Sequence, residues 1–598
     1  MNAFAVNDLR ALALAMKLGV LPVVAGVAAV LLGALPMMAW AETPGPPAMA
    51  QKPADLILRG GKVVTVDPAI GVVEAIAIRG YRIAALGDDA TVSAHAGANT
   101  RVIELNGRLA IPGFIEGHGH FLDLGRARLI LDLTTAASWN EILGQVADAV
   151  NSAEPGDWIF GHGWHQEKWR ETPSPNVGGA PLNDDLNTIA PHNPVYLGHA
   201  SGHAALANDA ALAIAGIGDD TRNPAGGTIV RTANGRATGL LRENAQRPVE
   251  AAIARHQGRL TEQETERVRR EQVQLASAEA LRFGVTSFHD AGASFADIDF
   301  LRRLEGEGAL PVRLYVMLHE ASNSEMASRL PRYLMPAEGN DFLAVRSIKR
   351  QIDGALGAHG AWLLAPYADM PGSTGLALQP VEQIEAAAQI ALQHGFQLNT
   401  HAIGDRANRE VLNLYQRVWR KAGANGGRLR WRIEHAQHIH PDDIARFGQL
   451  GIIAAVQGVH CSSDGPWIPA RLGASRAETT SYRWRDLLDA GAVLNNGTDT
   501  PVESIDPIAS FLASVSRMMP NGKKFYPGQA MTRMEALKSY TLDNAWSAFE
   551  EHLKGSLTPG KYADIAVLSG DILTIPEAEI ADVRVDYTIV GGQIRFAR

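Results

Sequence analysis

Short apolar segments alternate with helical stretches through the middle of this 598-residue chain. We count eight candidate strands, which read in chain order LAIPGFIE, GVTSFHD, VRLYVML, RSIKRQID, FQLNTHA, WRIEHA, GIIAAVQ and AVLNNGTD. One intervening helix is predicted to begin with a capping box, because Glu264 follows Thr261 by three residues, and to end at Gly284. Alternating strands and helices favour an α/β fold with a parallel sheet, and eight such units predict a (β/α)8 barrel of the TIM type.

The segments on either side of the barrel have a different pattern. Residues 54–112 and 551–598 alternate apolar and polar positions between glycine-containing turns, which is typical of hairpins. We expect these two segments to pair into one small β-sandwich around a barrel at residues 113–550. A large insertion, at approximately residues 155–250, is expected after the first barrel strand.

The N-terminus resembles an export signal. Two basic residues precede the apolar run LGVLPVVAGVAAVLLGAL, and a small-x-small sequence, AWA, ends at Ala41. We therefore predict a signal peptide at residues 1–41, a linker at 42–53, and a periplasmic or secreted protein with no stable membrane partner after cleavage. An uncleaved anchor is the alternative, since a run of about 18 residues borders on membrane-spanning length.

Composition excludes several classes of protein. Cys461 is the only cysteine, so an internal disulfide, a CxxC redox pair and a thiolate zinc cluster are excluded. The net charge of -9 is modest and the basic residues are dispersed, which argues against a nucleic-acid partner. GxSxG, HExxH and GxxxxGK[ST] motifs are absent. A small-molecule substrate is expected. The sequence does not decide whether the protein forms a homo-oligomer.

Metal-ligating residue types stand at the ends of several predicted strands. In a (β/α)8 barrel the active site lies at the C-terminal ends of the strands. The candidate metal ligands are His118, His120, Lys349, His401, His435 and Asp499. A lone histidine is more often a core or surface residue, but so many buried polar groups meeting without partners would be unfavourable. We therefore expect one or two divalent metal ions, with Asp290 and Asp353 as supporting or turn residues.

The insertion carries a cluster of aromatic residues and histidines, Trp164, His165, Trp169, Tyr196 and His203. We expect this cluster to form a wall of the pocket and to bind a partly apolar or aromatic substrate. Asn208 is a further candidate for substrate contact. The alternative is that the tryptophans only pack the insertion.

Taken together, these motifs resemble the amidohydrolase superfamily. The resemblance rests on PGFIEGHGH, IKRQIDGALGAHGAW, NTHAIGDRAN, RIEHAQ, NNGTDTPV and LTPGKYADIAVL, covers roughly residues 54–598, and indicates the amidohydrolase-3 branch, which includes YtcJ-like proteins and N-substituted formamide deformylases. It implies that His118, His120 and Asp499 hold one ion, that His401 and His435 hold a second, and that a carboxylated Lys349 bridges them. Such ligands suit Zn²⁺.

Lys349 leaves two arrangements open. Arg346 and Arg350 flank it and are expected to ease the deprotonation that carboxylation requires. The alternative is a structural lysine beside a mononuclear site.

The activity implied by the resemblance is hydrolysis of a C–N bond, in an amide or an N-formyl or N-acyl compound. The ion would activate water and polarise the carbonyl, while Asp499 would serve as the catalytic residue that moves the proton. Two alternatives are an ester, lactone or phosphotriester hydrolase on the same site, and a non-catalytic regulatory protein that contains metal. The regulatory protein would be expected to lack a ligand or the general base, and none is missing.

Overall fold

The structure is a computed structural model that describes residues 52–319, 322–338 and 341–598. The predicted signal peptide (1–41) lies outside the described residues, as does the predicted linker (42–53) apart from its last two positions. Among the described residues, no helix is both long and apolar enough to span a membrane.

The strands of the described chain occur in three groups: a sandwich, an insertion and a barrel. In chain order they are β1 (Leu56–Arg59), β2 (Lys62–Val64), β3 (Val72–Val73), β4 (Ala75–Arg79), β5 (Arg82–Gly87), β6 (Arg101–Glu104), β7 (Leu109–Pro112), β8 (Phe114–Gly119), β9 (Leu131–Asp132), β10 (Ile159–Trp164), β11 (Asn176–Val177), β12 (Ala180–Pro181), β13 (Val195–His199), β14 (Ala204–Ala207), β15 (Gly227–Arg231), β16 (Ala237–Glu243), β17 (Val285–Ala293), β18 (Arg313–Leu318), β19 (Leu343–Gln351), β20 (Gln397–Ala402), β21 (Arg432–His435), β22 (Ile453–Gln457), β23 (Leu494–Gly497), β24 (Ile565–Leu568), β25 (Val585–Val590) and β26 (Gln593–Ala597).

Helices connect these strands and cover the barrel. The α-helices are α1 (Asp89–Ser93), α2 (Phe121–Ala127), α3 (Trp139–Ser152), α4 (Asp184–Ile189), α5 (Asp209–Ala215), α6 (Arg247–Gln257), α7 (Glu262–Arg282), α8 (Phe295–Gly306), α9 (Asn323–Arg329), α10 (Val381–His394), α11 (Asp405–Ala422), α12 (Gly426–Leu429), α13 (Pro441–Leu450), α14 (Gly458–Asp464), α15 (Ile468–Leu472), α16 (Ala474–Thr480), α17 (Trp484–Asp489), α18 (Pro507–Ser516), α19 (Arg533–Ser539) and α20 (Leu542–Ser547). Short 3-10 helices lie at Gln166–Lys168, Asn244–Gln246, Leu330–Arg332, Pro527–Gln529 and Glu577–Asp582.

The barrel is a parallel sheet of eight strands within the described chain, in the order β23-β22-β21-β20-β19-β18-β17-β8. Each predicted strand segment overlaps one of these strands, which confirms the (β/α)8 fold. The two end strands approach each other at the mouth, where the Asp499 N–H donates to the His118 carbonyl at 2.7 Å. The strands are buried because helices cover the outer face of the sheet and side chains fill its interior. Helix α7 begins with the predicted capping box of Thr261 and Glu264.

The first predicted strand, LAIPGFIE, is in fact two strands. It breaks at Gly113, so that β7 belongs to the sandwich and β8 to the barrel. A Cβ at this glycine would lie 2.2 Å from the side chain of Thr286, so the tight approach of β8 to β17 requires glycine here.

Strands from both ends of the described chain form the sandwich. One sheet has the order β5-β4-β1-β6, and the other has the order β26-β25-β24-β7-β2-β3. Strand β7 pairs in parallel with β2 and antiparallel with β24. Apolar side chains from both sheets, such as Leu58, Ile76 and Ile565, pack between them.

The insertion between β8 and β17 has its own sheet, in the order β15-β16-β14-β13-β10-β9. This sheet extends from Leu131 to Glu243, so the insertion begins earlier than the predicted boundary near residue 155. Its core includes Leu133, Trp164 and Leu197. Strand β16 ends beside the barrel mouth, which places residues of the insertion at the cavity.

Candidate metal centre

Two histidines at the end of β8 point toward Asp499. His118 is fully buried, and its Nε2 lies 3.5 Å from Oδ1 of Asp499. The His120 side chain is 30% exposed, and its Nε2 lies 3.3 Å from the same oxygen. This agrees with the period of an extended chain, in which residues i and i+2 face the same side.

Asp499 occupies the end of the last barrel strand in an unusual backbone conformation. Its φ is +61°, a left-handed value that is rare outside glycine and is found mostly where surrounding contacts enforce it. Burial alone would raise the pKa of its carboxyl group, but the His120 hydrogen bond and the His118 and His435 rings hold that pKa below its ordinary value. The carboxylate is therefore ionised, as a metal ligand or a proton acceptor must be.

His401 and His435 lie on the neighbouring strands β20 and β21, with ring centroids 4.4 Å apart. Burial holds the pKa of both rings well below the ordinary value, so both are neutral, which is the form that binds metal. His435 Nδ1 pairs with Oε1 of Gln457 at 2.9 Å, which directs its Nε2 to the opposite side of the ring.

Lys349 lines the same cavity from β19. Its Nζ donates to the Ala291 carbonyl at 3.4 Å, and burial lowers its pKa. Glu434 and Asp499 oppose this lowering, and Arg432 adds to it. Of the two flanking arginines, Arg346 lies 3.8 Å over the Phe549 ring and Arg350 donates to Asn323.

The donor atoms themselves fit a divalent ion. Ligand atoms of His118, His435 and Asp499 all lie within 4.8 Å of one another. In the described chain, His118 Nε2 and His401 Nε2 are buried without a hydrogen-bond partner. Unpaired buried polar atoms are uncommon and need a reason. Imidazole nitrogens and a carboxylate oxygen suit Zn²⁺ or a similar ion, which would pair with these atoms.

A buried ion pair lies beneath His118. The Glu434 carboxylate accepts from Nε of Arg432 at 2.6 Å and also contacts Nδ1 of His118. Burial would raise the pKa of Glu434, but Arg432 and His118 hold it below its ordinary value. A carboxylate at Nδ1 fixes the tautomer that leaves Nε2 free for a metal.

The two aspartates expected to play supporting parts hold the backbone. Asp353 accepts from the N–H groups of Trp362, Ile403 and Gly404, and Oδ1 of Asp290 accepts from the Phe121 N–H at 3.3 Å. Burial raises the pKa of each aspartate to about 7.

Two cavities share lining residues at the metal centre. The larger, of about 530 Å³, includes His120, Lys349, His401 and Asp499 in its lining. The smaller, of about 60 Å³, includes His165, His460 and Trp467 in its lining. We call these the large and small compartments, and both are lined by His203, His435 and Asp499.

The structure divides the residues proposed for the pocket wall. Tyr196 lines the large compartment, His165 the small one and His203 both. Trp164 and Trp169 stack on each other with centroids 5.9 Å apart and pack in the core of the insertion, not among the residues that line either compartment.

Three other residues complete the comparison with the sequence. Asn208 is buried in the insertion, where its side chain caps α5 and accepts from the Val195 N–H. His319, at the end of the third barrel strand, lines the large compartment and was missed. Its position just after VRLYVML is the same signal that identified the other histidines. Glu243, also missed, pairs with His203 at 2.7 Å.

Comparison with known proteins agrees with this architecture. Protein LONG AFTER FAR-RED 3 of Arabidopsis thaliana is 34% identical over 86% of this chain and 87% of its own length. The N-substituted formamide deformylase of Arthrobacter pascens is 26% identical over 91% of this chain and 98% of its own.

A solved structure and a family model extend the comparison. An uncharacterized metal-dependent hydrolase from Pyrococcus horikoshii superposes with a TM-score of 0.69 at 26% identity, over 88% of this chain and 99% of that one. The model of the amidohydrolase family, in its amidohydrolase-3 form, matches residues 101–596. The chain therefore belongs to the amidohydrolase family, in its amidohydrolase-3 branch.

Proposed function

We propose that this protein hydrolyses the C–N bond of a small amide, N-formyl or N-acyl compound with the help of bound divalent metal, and that this metal is Zn²⁺. The observation that carries the proposal is the meeting of His118, His401, His435 and Asp499 at one barrel mouth, where the buried Nε2 atoms of His118 and His401 lack a hydrogen-bond partner among the described residues. Buried groups of this kind in a cleft are candidates for metal binding and catalysis.

The proposed ligand roles follow the resemblance to the family. His118, His120 and Asp499 would hold one ion, and His401 and His435 a second, with a carboxylated Lys349 as the bridge. Bound metal would supply Lewis-acid polarisation of the carbonyl and activation of the attacking water. Asp499 would orient that water, accept its proton and pass it to the departing nitrogen, because an amide anion is a poor leaving group.

The compartments suggest the shape of the substrate. One water molecule needs about 10–15 Å³ of cavity volume. The small compartment, of about 60 Å³, therefore takes a group of roughly four to six non-hydrogen atoms. A formyl or other short acyl group fits there, and the large compartment would take the amine portion. The family member from Arthrobacter pascens, named as an N-substituted formamide deformylase, supports a short acyl group.

The test combines metal analysis with a substrate panel. Purified protein should contain one to two divalent ions per chain, and chelation should abolish hydrolysis until metal is returned. His118→Ala and His120→Ala should lose both metal and activity, and full metal occupancy in both would contradict the ligand assignment. N-formyl and N-acyl amides should be cleaved in preference to esters, lactones and phosphotriesters, and the reverse order would contradict the C–N assignment.

We also propose that the protein acts outside the cytoplasm, on the strength of the N-terminal sequence pattern. The mature chain is expected to begin near Glu42. N-terminal sequencing of exported protein tests this, and an intact segment 1–41 would contradict it.

A further inference from the structure

Two residues of the insertion, His203 and Glu243, form a hydrogen-bonded pair at the metal centre. Nδ1 of His203 lies 2.7 Å from Oε2 of Glu243, and the Glu243 N–H donates to the His203 carbonyl at 2.8 Å. The Glu243 side chain is only 3% exposed. The His203 ring lies 5.3 Å from the ring of His401 and lines both compartments. The pair thus stands where a substrate would cross from one compartment to the other.

The backbone on both sides of the pair accommodates the Glu243 carboxylate. Glu243 has φ +52° and ψ -130°. An L-residue keeps this strained backbone conformation only where its surroundings enforce it, and residues of this kind are common at functional sites. Gly354 and Gly360, in the segment that follows barrel strand β19, face this carboxylate. A Cβ at Gly354 would lie 2.0 Å from Oε1 of Glu243, and a Cβ at Gly360 would lie 2.1 Å from it. These two glycines therefore leave the space that the carboxylate occupies.

A purely structural contact explains this arrangement poorly. Oε1 of Glu243 is buried and has no hydrogen-bond partner among the described residues. A carboxylate whose only part was to fasten the insertion to the barrel would be expected to pair both oxygens. The carboxylate does contact His203 through Oε2, and this contact fixes the orientation of the imidazole ring.

We propose that Glu243 is a positioning residue that holds His203 with Nε2 toward the cavity, where it accepts a hydrogen bond from the N–H of the scissile amide. The carboxylate faces Nδ1, so Nδ1 carries the hydrogen, and in the neutral ring, which is the form that can accept, Nε2 presents a lone pair. An acceptor matches an amide N–H, whereas a carbonyl oxygen needs a donor. This inference rests on the proposed hydrolysis of C–N bonds and narrows the substrates to secondary amides, against N,N-disubstituted amides and esters.

The test compares kcat/KM for formanilide, N-methylformanilide and phenyl formate. The wild-type protein should prefer formanilide over N-methylformanilide by roughly 10- to 100-fold, the usual effect of leaving a buried polar group of a site unpaired. His203→Ala and Glu243→Gln should lose most of this preference, because kcat/KM for formanilide should fall by a much larger factor than kcat/KM for the other two compounds.

Two glycine variants separate position from chemistry. Gly354→Ala should behave like Glu243→Gln, because its new Cβ would displace the carboxylate while both members of the pair remain. Gly372→Ala is the matched control and should keep the preference, since a Cβ there meets nothing within 4 Å. Metal content and thermal unfolding, measured on every variant, should match the wild type.

The opposing results are distinct. Equal wild-type rates on formanilide and N-methylformanilide would overturn the inference, and so would variants that lower kcat/KM for all three compounds by one factor, which is the mark of a structural role. If the wild type cleaved phenyl formate and neither amide, the proposed C–N hydrolysis would fail, and this inference with it.

Discussion

Replacing Glu434 with glutamine tests whether the carboxylate beneath the metal centre holds His118 in place. Glu434 is fully buried and accepts from Arg432 through Nε at 2.6 Å and Nη2 at 2.8 Å. Glu434→Gln leaves that guanidinium buried without a counter-charge, and breaking a buried pair in this way costs about 3–5 kcal/mol. Arg432 keeps its hydrogen bond to the Gly117 carbonyl at 2.8 Å, so we expect a loss near the lower end of that range.

The expected change in Tm follows from the loss of stability and the length of the chain. Unfolding entropy is about 2.1 cal/mol/K per residue, and the unit from Pro53 to Arg598 has roughly 550 residues. A loss of about 3 kcal/mol should therefore lower the Tm of the metal-free protein by only about 3 °C. Metal affinity, measured by competition with a chelator, should fall by roughly 10- to 100-fold, as is usual when a histidine ligand loses its hydrogen-bond partner.

A double variant separates the two consequences. Glu434→Gln with Arg432→Met removes the unpaired charge but still leaves His118 without its carboxylate. Most of the lost Tm should return, whereas metal affinity should stay low. Unchanged metal affinity in the single variant would refute the positioning role, and recovery of affinity in the double variant would assign the effect to the charge of Arg432.

Three further predictions concern proton transfer, metal bridging and pH. Asp499→Asn should lower kcat by roughly 10²–10⁴ even at saturating metal, because asparagine cannot accept the proton; a near wild-type kcat under those conditions would assign the proton transfer elsewhere. Lys349→Ala should reduce the metal content by one ion per chain and regain activity with added short carboxylic acids, whereas unchanged metal content would show that Lys349 is no ligand. Burial, with a smaller effect of Arg476, lowers the pKa of His438 to about 3, so the unfolded chain binds a proton below about pH 6.5 that the folded chain does not. The contribution of His438 to the free energy of unfolding should therefore be constant above about pH 6.5 and should fall by about 1.4 kcal/mol per pH unit as the pH drops toward 3. The free energy of unfolding of His438→Asn, measured between pH 7 and 5, should lack this part of the pH dependence.

The barrel and the candidate ligands could be predicted because each depends on local sequence. An apolar run followed by a turn identifies a strand, and the residue after it faces the barrel mouth, which is how His401 and His435 were found. Glu434 was missed because Arg432 and Glu434 look like an exposed charged pair on an alternating strand, and alternation does not tell which side faces the barrel interior.

Residues joined by long-range contacts could not be found in the same way. Glu243 is 40 positions from His203, and only the antiparallel pairing of β14 with β16 brings them together. Trp164 and Trp169 were predicted at the cavity but pack in the core of the insertion. The sequence could not distinguish the two positions, because a tryptophan looks the same in sequence whether it packs a core or lines a cavity.

The position of β7 in the sandwich has a consequence for how the protein is made. One edge of β7 pairs with β2, which emerges from the ribosome shortly before it, but its other edge pairs with β24, which is synthesised near the end of the chain. At about 5–20 residues per second, that edge stays open for roughly 20–90 s of translation. An open edge is a template for wrong pairing, so the nascent chain is exposed to that hazard during this interval. A chain truncated before Ile565 lacks the strand that covers this edge of β7, so the edge stays open after synthesis and the hazard becomes permanent.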